Sequence, residues 1–398
     1  MTERPATPPR ALEGVRVLEL SHYIAGPFAC QLLANLGADV VKVEPPAGEP
    51  GRHAPPFTAD TARESLYFAT FNHDKRSVAL DLRSERATVV LPALLRWADV
   101  LVTNFAPGVP ERLNFGYERV REINPRLVMV QVSGFGSWSP IGQFPAFDPV
   151  IQAMSGLADM VGDPAGPPFV SNILFGDLTT AHQAAMAALA ALHLRERTGT
   201  GSFVEVSMMR SLAPLLGDYV AQATTLGERP TRVGNRQTRR FINAFATADG
   251  HLVIAPITPG QWKAFCDVIG RPEWGAPEVT SDRINVRNEA VRLDLEASTA
   301  AWMRERTSEQ AAAALREVGV PCGPVWSIDE LTRQAEQHDL RMFRRARLTD
   351  GREVTIPGTS CDIGVAPAEL LHRPAPTCAQ VPAVGEHTAA VLQELGLA

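Results

Sequence analysis

Gly14-Val-Arg-Val-Leu-Glu-Leu-Ser-His-Tyr-Ile-Ala-Gly-Pro-Phe-Ala-Cys-Gln-Leu-Leu-Ala-Asn-Leu-Gly-Ala-Asp-Val-Val-Lys-Val-Glu44 is the stretch on which the fold turns. Gly14–Leu20 reads as a buried strand. Ser21–Pro27 is a loop, and a helix runs through Cys30, Leu32, Leu33 and Leu36 until Gly37 ends it, as a C-terminal glycine does. Ala38–Glu44 is the next strand. Strand, helix and strand at this spacing form a parallel pair joined by a right-handed crossover. The pattern then repeats loosely: a strand at Ser77–Leu82, a helix from Ser84 to Trp97 with Pro92 inside it, and strands at Val100–Thr103 and Leu127–Val132. Alternation of this kind predicts a doubly wound, Rossmann-like α/β domain with a parallel sheet. Ligands of such sheets lie at the carboxyl ends of the strands, here Ser21–Gly26, Glu44–Arg52, Asn104–Pro107 and Ser133–Gly136.

A chain of 398 residues exceeds a single core. Gly227–Arg240 is polar, basic and glycine-containing, as a linker is. A large domain over 1–224, completed by 331–398, and a smaller α+β domain over 225–330 follow. In the smaller one a hairpin is expected over Phe245–Ile254, turning at Asp249-Gly250, with helices at Gln261–Ile269 and Ser308–Val318. A last helix is expected at Thr388–Leu395. Hydrophobic residues at 45% and charged residues at 21% describe an ordinary globular protein. A net charge of -6 and no basic stripe with interleaved aromatics exclude a nucleic-acid partner. Five scattered cysteines give no disulfide framework, and no apolar run reaches membrane-spanning length. With no signal-like N-terminus, a cytoplasmic location is expected.

Ser171-Asn-Ile-Leu-Phe-Gly-Asp177 runs apolar up to a Gly-Asp and opens an alanine-rich helix. Leu178, Ala181, Ala185, Met186, Leu189 and Leu192 fall on one predicted face. Asp177 thereby occupies an N-cap position at the positive end of the helix dipole. Two readings stand side by side: a plain cap, or a carboxylate nucleophile. Several other sites are absent. There is no GxGxxG after the first strand, no phosphate loop, no GxSxG elbow and no HExxH. His182 and His193, eleven positions apart on the alanine-rich helix, make no metal pair.

The order of motifs resembles the class III (CaiB/BaiF-type) CoA-transferases. The matches are Leu12–Leu20 with Ala25-Gly-Pro27, Leu36–Glu44, Phe71-Asn-His-Asp-Lys-Arg-Ser77 with Asp81-Leu82, Asn104-Phe-Ala-Pro-Gly108, Gly176-Asp177, Val320–Val325 and Gly385-Glu-His-Thr388. They run in order from Leu12 to the last residues.

The resemblance implies that Asp177 attacks an acyl-CoA carbonyl, giving an acyl-aspartyl anhydride and then an aspartyl-CoA thioester. It implies CoA, as substrate, at His22, Ala25, Asn72, Lys75, Arg76, Asn104, Phe105 and Arg112, with Lys75, Arg76 and Arg112 apt for phosphates. Ser133, Gly134 and Phe135 belong to the loop expected beside the nucleophile, where backbone N–H groups would hold an oxyanion. Pro45 stands where formyl-CoA transferase-like relatives place an adenine-stacking Arg, and Arg52 is the expected substitute. Ser133 replaces a Lys of some members. Arg236, Arg239 and Arg240 are candidates for a distal carboxylate, against the alternative of a plain basic linker. The resemblance further implies an interlocked homodimer and no tightly bound cofactor or metal. The expected activity is transfer of CoA, with succinyl-CoA as the donor, to a small carboxylic acid.

Related α-methylacyl-CoA racemases need a His-Asp pair where this chain has Pro145-Ala-Phe-Asp-Pro149. Phe147 cannot carry a proton, which argues against epimerisation. A racemase-type isomerase with another base and a non-catalytic CoA-binding protein remain as alternatives.

Overall fold

The structure, a computed structural model, describes residues 10–59, 63–237, 240–276, 289–361, 363 and 378–397. The chain divides into two compact units. One comprises Met1–Leu157, Val170–Val220 and Asp339–Ala398; the other comprises Ala158–Phe169 and Ala221–His338.

The first unit is built on a six-stranded, wholly parallel sheet. Its strands are β1 (Arg16–Leu20), β2 (Asp39–Glu44), β3 (Arg76–Ala79), β4 (Val100–Thr103), β5 (Val128–Ser133) and β6 (Phe203–Ser207). The order β3-β2-β1-β4-β5-β6 places the reversal of winding between β1 and β4, with Leu18 paired to Val41 on one side and to Leu101 on the other. Alternate residues of each strand face opposite layers. Val17, Val40, Val100 and Val130 pack under the helices Ala25–Asn35 and Phe175–Thr198. Leu18, Val41, Leu101 and Met129 pack under Glu85–Trp97 and the C-terminal helix Thr388–Glu394. Both faces are covered, so the strands read as apolar runs.

The alanine-rich helix corrects the sequence reading in two respects. It begins at Phe175, with Leu174 as N-cap residue, so Asp177 lies inside its first turn rather than at its cap. Its buried face is Thr180, Ala181, Ala184, Ala185, Ala188, Ala191 and Leu192, while Met186 is 59% exposed. Small side chains allow close approach to Ala25, Ala29 and Cys30 of the neighbouring helix, and the bulkier Met186 is left outside.

In the second unit β7 (Asn243–Ala246), β8 (His251–Ile254) and β9 (Cys322–Pro324) form an antiparallel sheet. The expected turn at Asp249-Gly250 is present, closed by Thr247 N–H and the Gly250 carbonyl. Helices Pro259–Val268, Glu289–Arg304 and Ser308–Glu317 supply Trp262, Phe265, Leu295, Met303 and Leu315 to its core. The C-terminal part of the first unit adds a small sheet of β10 (Phe343–Arg347), β11 (Glu353–Pro357) and β12 (Ala379–Gln380). Its arginine-rich β10 carries no apolar alternation to announce a strand. Among the described residues no helix is long and apolar enough to cross a membrane.

Candidate active site

Because β1, β2, β4 and β5 are parallel, the loops that follow them emerge at one edge of the sheet. A buried charge network beneath that edge fixes the Ser21–Ala25 loop. Glu19, in the middle of β1, accepts from Lys42 Nζ at 2.7 Å and pairs with Lys75 Nζ at 2.8 Å, all three side chains being fully buried. Burial pushes the Glu19 carboxyl up, but the two lysines outweigh it and hold it at about 2. Lys42 also donates to the Ser21 carbonyl, and Ser21 Oγ donates to Glu19. Next in the loop, the His22 N–H donates to Asn104 Oδ1 while Asn104 Nδ2 donates back to the His22 carbonyl. The Tyr23 N–H donates to Glu49 Oε2, which holds Tyr23 at φ 64°, in left-handed territory. The loop ends at Ala25, whose N–H donates to the Asp177 carboxylate.

Asp177 is thus met from outside its own helix. Burial comes first, and the carboxylate of Asp148 second, in pushing its carboxyl up to about 7; the Ala25 amide pulls the other way. The orphan N–H of Asp177 itself is taken by Asp148 Oδ2 at 3.1 Å. The capping role thereby falls to a buried carboxylate 29 positions upstream, and the Asp177 side chain stays clear of its own helix end. Gly176 has a specific reason to be glycine: an added Cβ would stand 3.0 Å from Asp148 Oδ2 and 3.3 Å from Met208 Cε. Asp148 is anchored in turn by Gln152, which also reaches the Ser171 and Ile173 carbonyls and accepts from the Ser171 N–H. Tyr67 lies close enough for Asp177, Glu49 and Tyr23 to help raise its phenol, after burial. Phe147, 61% exposed, meets the Tyr23 ring edge-on at 5.7 Å.

The other residues singled out by sequence fall into two groups. His22, Asn104, Phe105 and Ala25 come together at the ends of β1 and β4, with the His22 and Phe105 rings 4.8 Å apart. Burial and then Lys42 lower the His22 imidazole below its usual range. Arg112 is exposed, and its side chain makes no hydrogen bond or ion pair among the described residues. The second group is engaged with protein. Lys75 donates to the Pro27 carbonyl and to Asn72 Oδ1, both at 2.8 Å, besides pairing with Glu19. Arg76 is shared between Asp39 and Glu394. Arg52 grips both oxygens of Glu44, donates to the Pro382 carbonyl and lies 3.7 Å from the Phe68 ring centroid.

At the end of β5, Ser133 Oγ donates to Glu205 and accepts from the Gly136 N–H, and Phe135 is buried with Ile151, Met208 and Leu212. In the second unit Arg236 is paired with Glu296 and Glu289. Arg240 is half-buried, and Arg239 lies outside the described residues. Glu19, Lys42, Glu49, Gln152 and Glu205 had escaped the sequence reading, and Asp148, weighed there only as half of a racemase-type His-Asp pair, lies instead against the Asp177 N–H. A charged residue inside an otherwise apolar strand demands a buried partner, and that was the signal at Glu19 and Lys42. No group of three His, Cys, Asp or Glu side chains among the described residues is placed to hold a metal ion.

Comparison with known proteins agrees with this geometry. The chain is 36% identical, over 97% of its own length and 97% of the other's, to a succinyl-CoA:mesaconate CoA-transferase of Haloarcula hispanica. It is 37% identical to an acetyl-CoA:oxalate CoA-transferase of Acetobacter aceti over 83% of this chain and 85% of that protein. The crystal structure of a CAIB/BAIF family protein from Brucella suis superposes with a TM-score of 0.83 at 28% identity, covering 97% of this chain and 99% of that one. The pattern of CoA-transferase family III matches residues 12–388. With that match spanning nearly the whole chain, the protein belongs to CoA-transferase family III and is a class III CoA-transferase.

Proposed function

We propose that the chain carries CoA from an acyl-CoA, with succinyl-CoA as donor, to a small carboxylic acid through covalent intermediates on Asp177. The observation that carries this is the Asp177 carboxyl: poorly solvated, basic for a carboxylate, contacted by the Ala25 amide, and at the strand-end edge where ligands of such sheets bind. An ionised Asp177 oxygen attacks the thioester carbonyl, the C–S bond breaks, and CoA thiolate leaves an acyl-aspartyl anhydride. The thiolate then attacks the aspartyl carbonyl of the anhydride, releasing the first acid as its carboxylate and forming an aspartyl-CoA thioester. A second carboxylate repeats the two steps in reverse and departs as the new acyl-CoA, with Asp177 restored. No net proton is consumed. An amide placed on the oxyanion is worth about 3–4 kcal/mol in well-studied enzymes, and the Ala25 N–H already meets the Asp177 carboxylate.

For CoA, His22, Phe105 and the exposed Arg112 form the nucleotide side. Arg52, Asn72, Lys75 and Arg76 shape that edge by holding its loops, and Ser133, Gly134 and Phe135 border the acyl end. The names of the relatives, with mesaconate and oxalate as acceptors, favour a small dicarboxylate here. Phe147 beside Tyr23 offers no proton-transfer group, which favours acyl exchange over epimerisation. Two copies of the chain form the working unit.

The test is to incubate the protein with succinyl-CoA and quench with hydroxylamine, which converts an activated Asp177 acyl group to a hydroxamate. Mass spectrometry should find the modification on the peptide bearing Asp177 and lose it in Asp177→Ala. A modification that persists in the folded variant overturns the assignment. Screening the adduct against a panel of acids then identifies the acceptor by the new acyl-CoA formed.

A further inference from the structure

Asp177 is faced by a second carboxylate that the transfer chemistry above does not use. Asp148 is 1% exposed, at the start of the helix Asp148–Met154, and both its oxygens are occupied. Oδ2 takes the Asp177 N–H at 3.1 Å and Oδ1 accepts from Gln152 Nε2. Gln152, also 1% exposed, is fixed by three backbone groups of Ser171 and Ile173, in the segment that leads into the Asp177 helix. Gly176 lacks the Cβ that would push Asp148 away. A buried carboxylate with no cationic partner is costly, and a helix cap alone does not require one, because serine or asparagine caps as well.

We propose that Asp148 is a positioning residue for the transfer: locked by Gln152, it fastens the first turn of the Asp177 helix through the Asp177 N–H and stands as a second negative charge behind the nucleophile. The first effect aims the Asp177 carboxylate at the thioester. The second makes that carboxylate more basic, and so more nucleophilic, than an isolated one. Among the described residues, the other titratable groups facing this carboxyl are Tyr67, whose phenol is raised by burial and then by Asp177, and behind it Glu49 and Tyr23, and none of these supplies a cation that would cancel the effect. The kinetic part rests on Asp177 being the nucleophile. The electrostatic part does not.

The test therefore has two readouts. In protein labelled with [4-13C]aspartate, the Asp177 carboxyl resonance is assigned by its loss in Asp177→Asn and titrated. In the wild type its midpoint is expected near 7. Asp148→Asn keeps an acceptor oxygen for the Asp177 N–H and removes the charge, so the midpoint falls by about 1 pH unit or more. Hydroxamate formation from succinyl-CoA and hydroxylamine is then followed against pH. In Asp148→Asn its acid limb moves down with the midpoint and its plateau at pH 8 drops about 3- to 10-fold. Gln152→Ala leaves both carboxylates in place, lowers the plateau and leaves the limb where it was. A purely structural Asp148 would lower the plateau of Asp148→Asn with no movement of the limb or of the Asp177 midpoint, and that result overturns the proposal. Hydroxamate that survives in Asp177→Asn would overturn the nucleophile reading, while a shifted midpoint would still support the electrostatic role.

Discussion

Ionising Asp177 in place works against folding. Its carboxyl is raised from 3.8 to about 7 by burial and by Asp148, so the native state binds its proton more tightly than the unfolded chain does. The sign follows from linkage: this group favours the fold below pH about 4, and that contribution is lost as pH rises through about 7. Asp177→Asn removes the dependence. The variant should be more stable than the wild type at pH 8 by roughly 2–4 kcal/mol, with the advantage vanishing towards pH 4, in urea melts followed by circular dichroism. A variant equally or less stable at pH 8 would mean that the wild-type carboxylate is solvated or paired there. Activity lost together with stability gained is the usual mark of a strained reactive group. At this scale the sequence was half legible. The Gly-Asp pair stands out by eye, but Asp148 sits 29 positions away as one acid among 44 Asp and Glu residues, and only the folded chain brings it to the Asp177 amide.

The elements divide by what announces them. β1, β2, β4 and β5 are buried on both faces, so their apolar runs give them away, and a strand–helix–strand repeat dictates the parallel order. The Asp177 helix was visible as a helix, but its start was not: its cap is a side chain from a distant helix, so local capping rules misplace it. The short helices Leu66–Asn72 and Asp148–Met154 were missed because each has too few residues to show a period. What the strand-end edge owes to its elements is a buried ion network, and this can be weighed. Glu19→Gln leaves Lys42 and Lys75 sharing a neutral partner inside the sheet, a change that costs about 3–5 kcal/mol at neutral pH. Glu19 is held at about 2 in the fold against 4.5 for a free carboxyl. Its contribution is therefore present above pH 4.5 and lost as pH falls towards 2. The gap between wild type and Glu19→Gln should be constant from pH 6 to 8 and close below about 4.5 in denaturant midpoints; a gap independent of pH down to 3 would refute the network's electrostatic role.

At the level of the whole molecule, the first unit leaves large apolar side chains exposed in the segments on either side of Asp148 and leading into Asp177. Trp138, Phe144, Phe147 and Ile173 are 55%, 56%, 61% and 58% exposed. Monomeric proteins tolerate single exposed apolar residues, and four large ones in the segments around Asp148 and Asp177 are what the proposed association predicts. The homodimer proposed above requires a second copy of the chain to cover exposed apolar side chains of this kind. Sedimentation equilibrium should then give twice the mass of one chain. Phe144→Asp, which places a charge at an exposed ring that meets Phe135 edge-on and leaves Asp177, Asp148 and the buried network in place, should shift the equilibrium towards single chains. Hydroxamate formation on Asp177 should fall in proportion to the dimer remaining and recover as protein concentration is raised. A monomeric wild type that forms the adduct at full rate would show that one chain holds a complete site, and the exposed aromatic residues would then need another explanation.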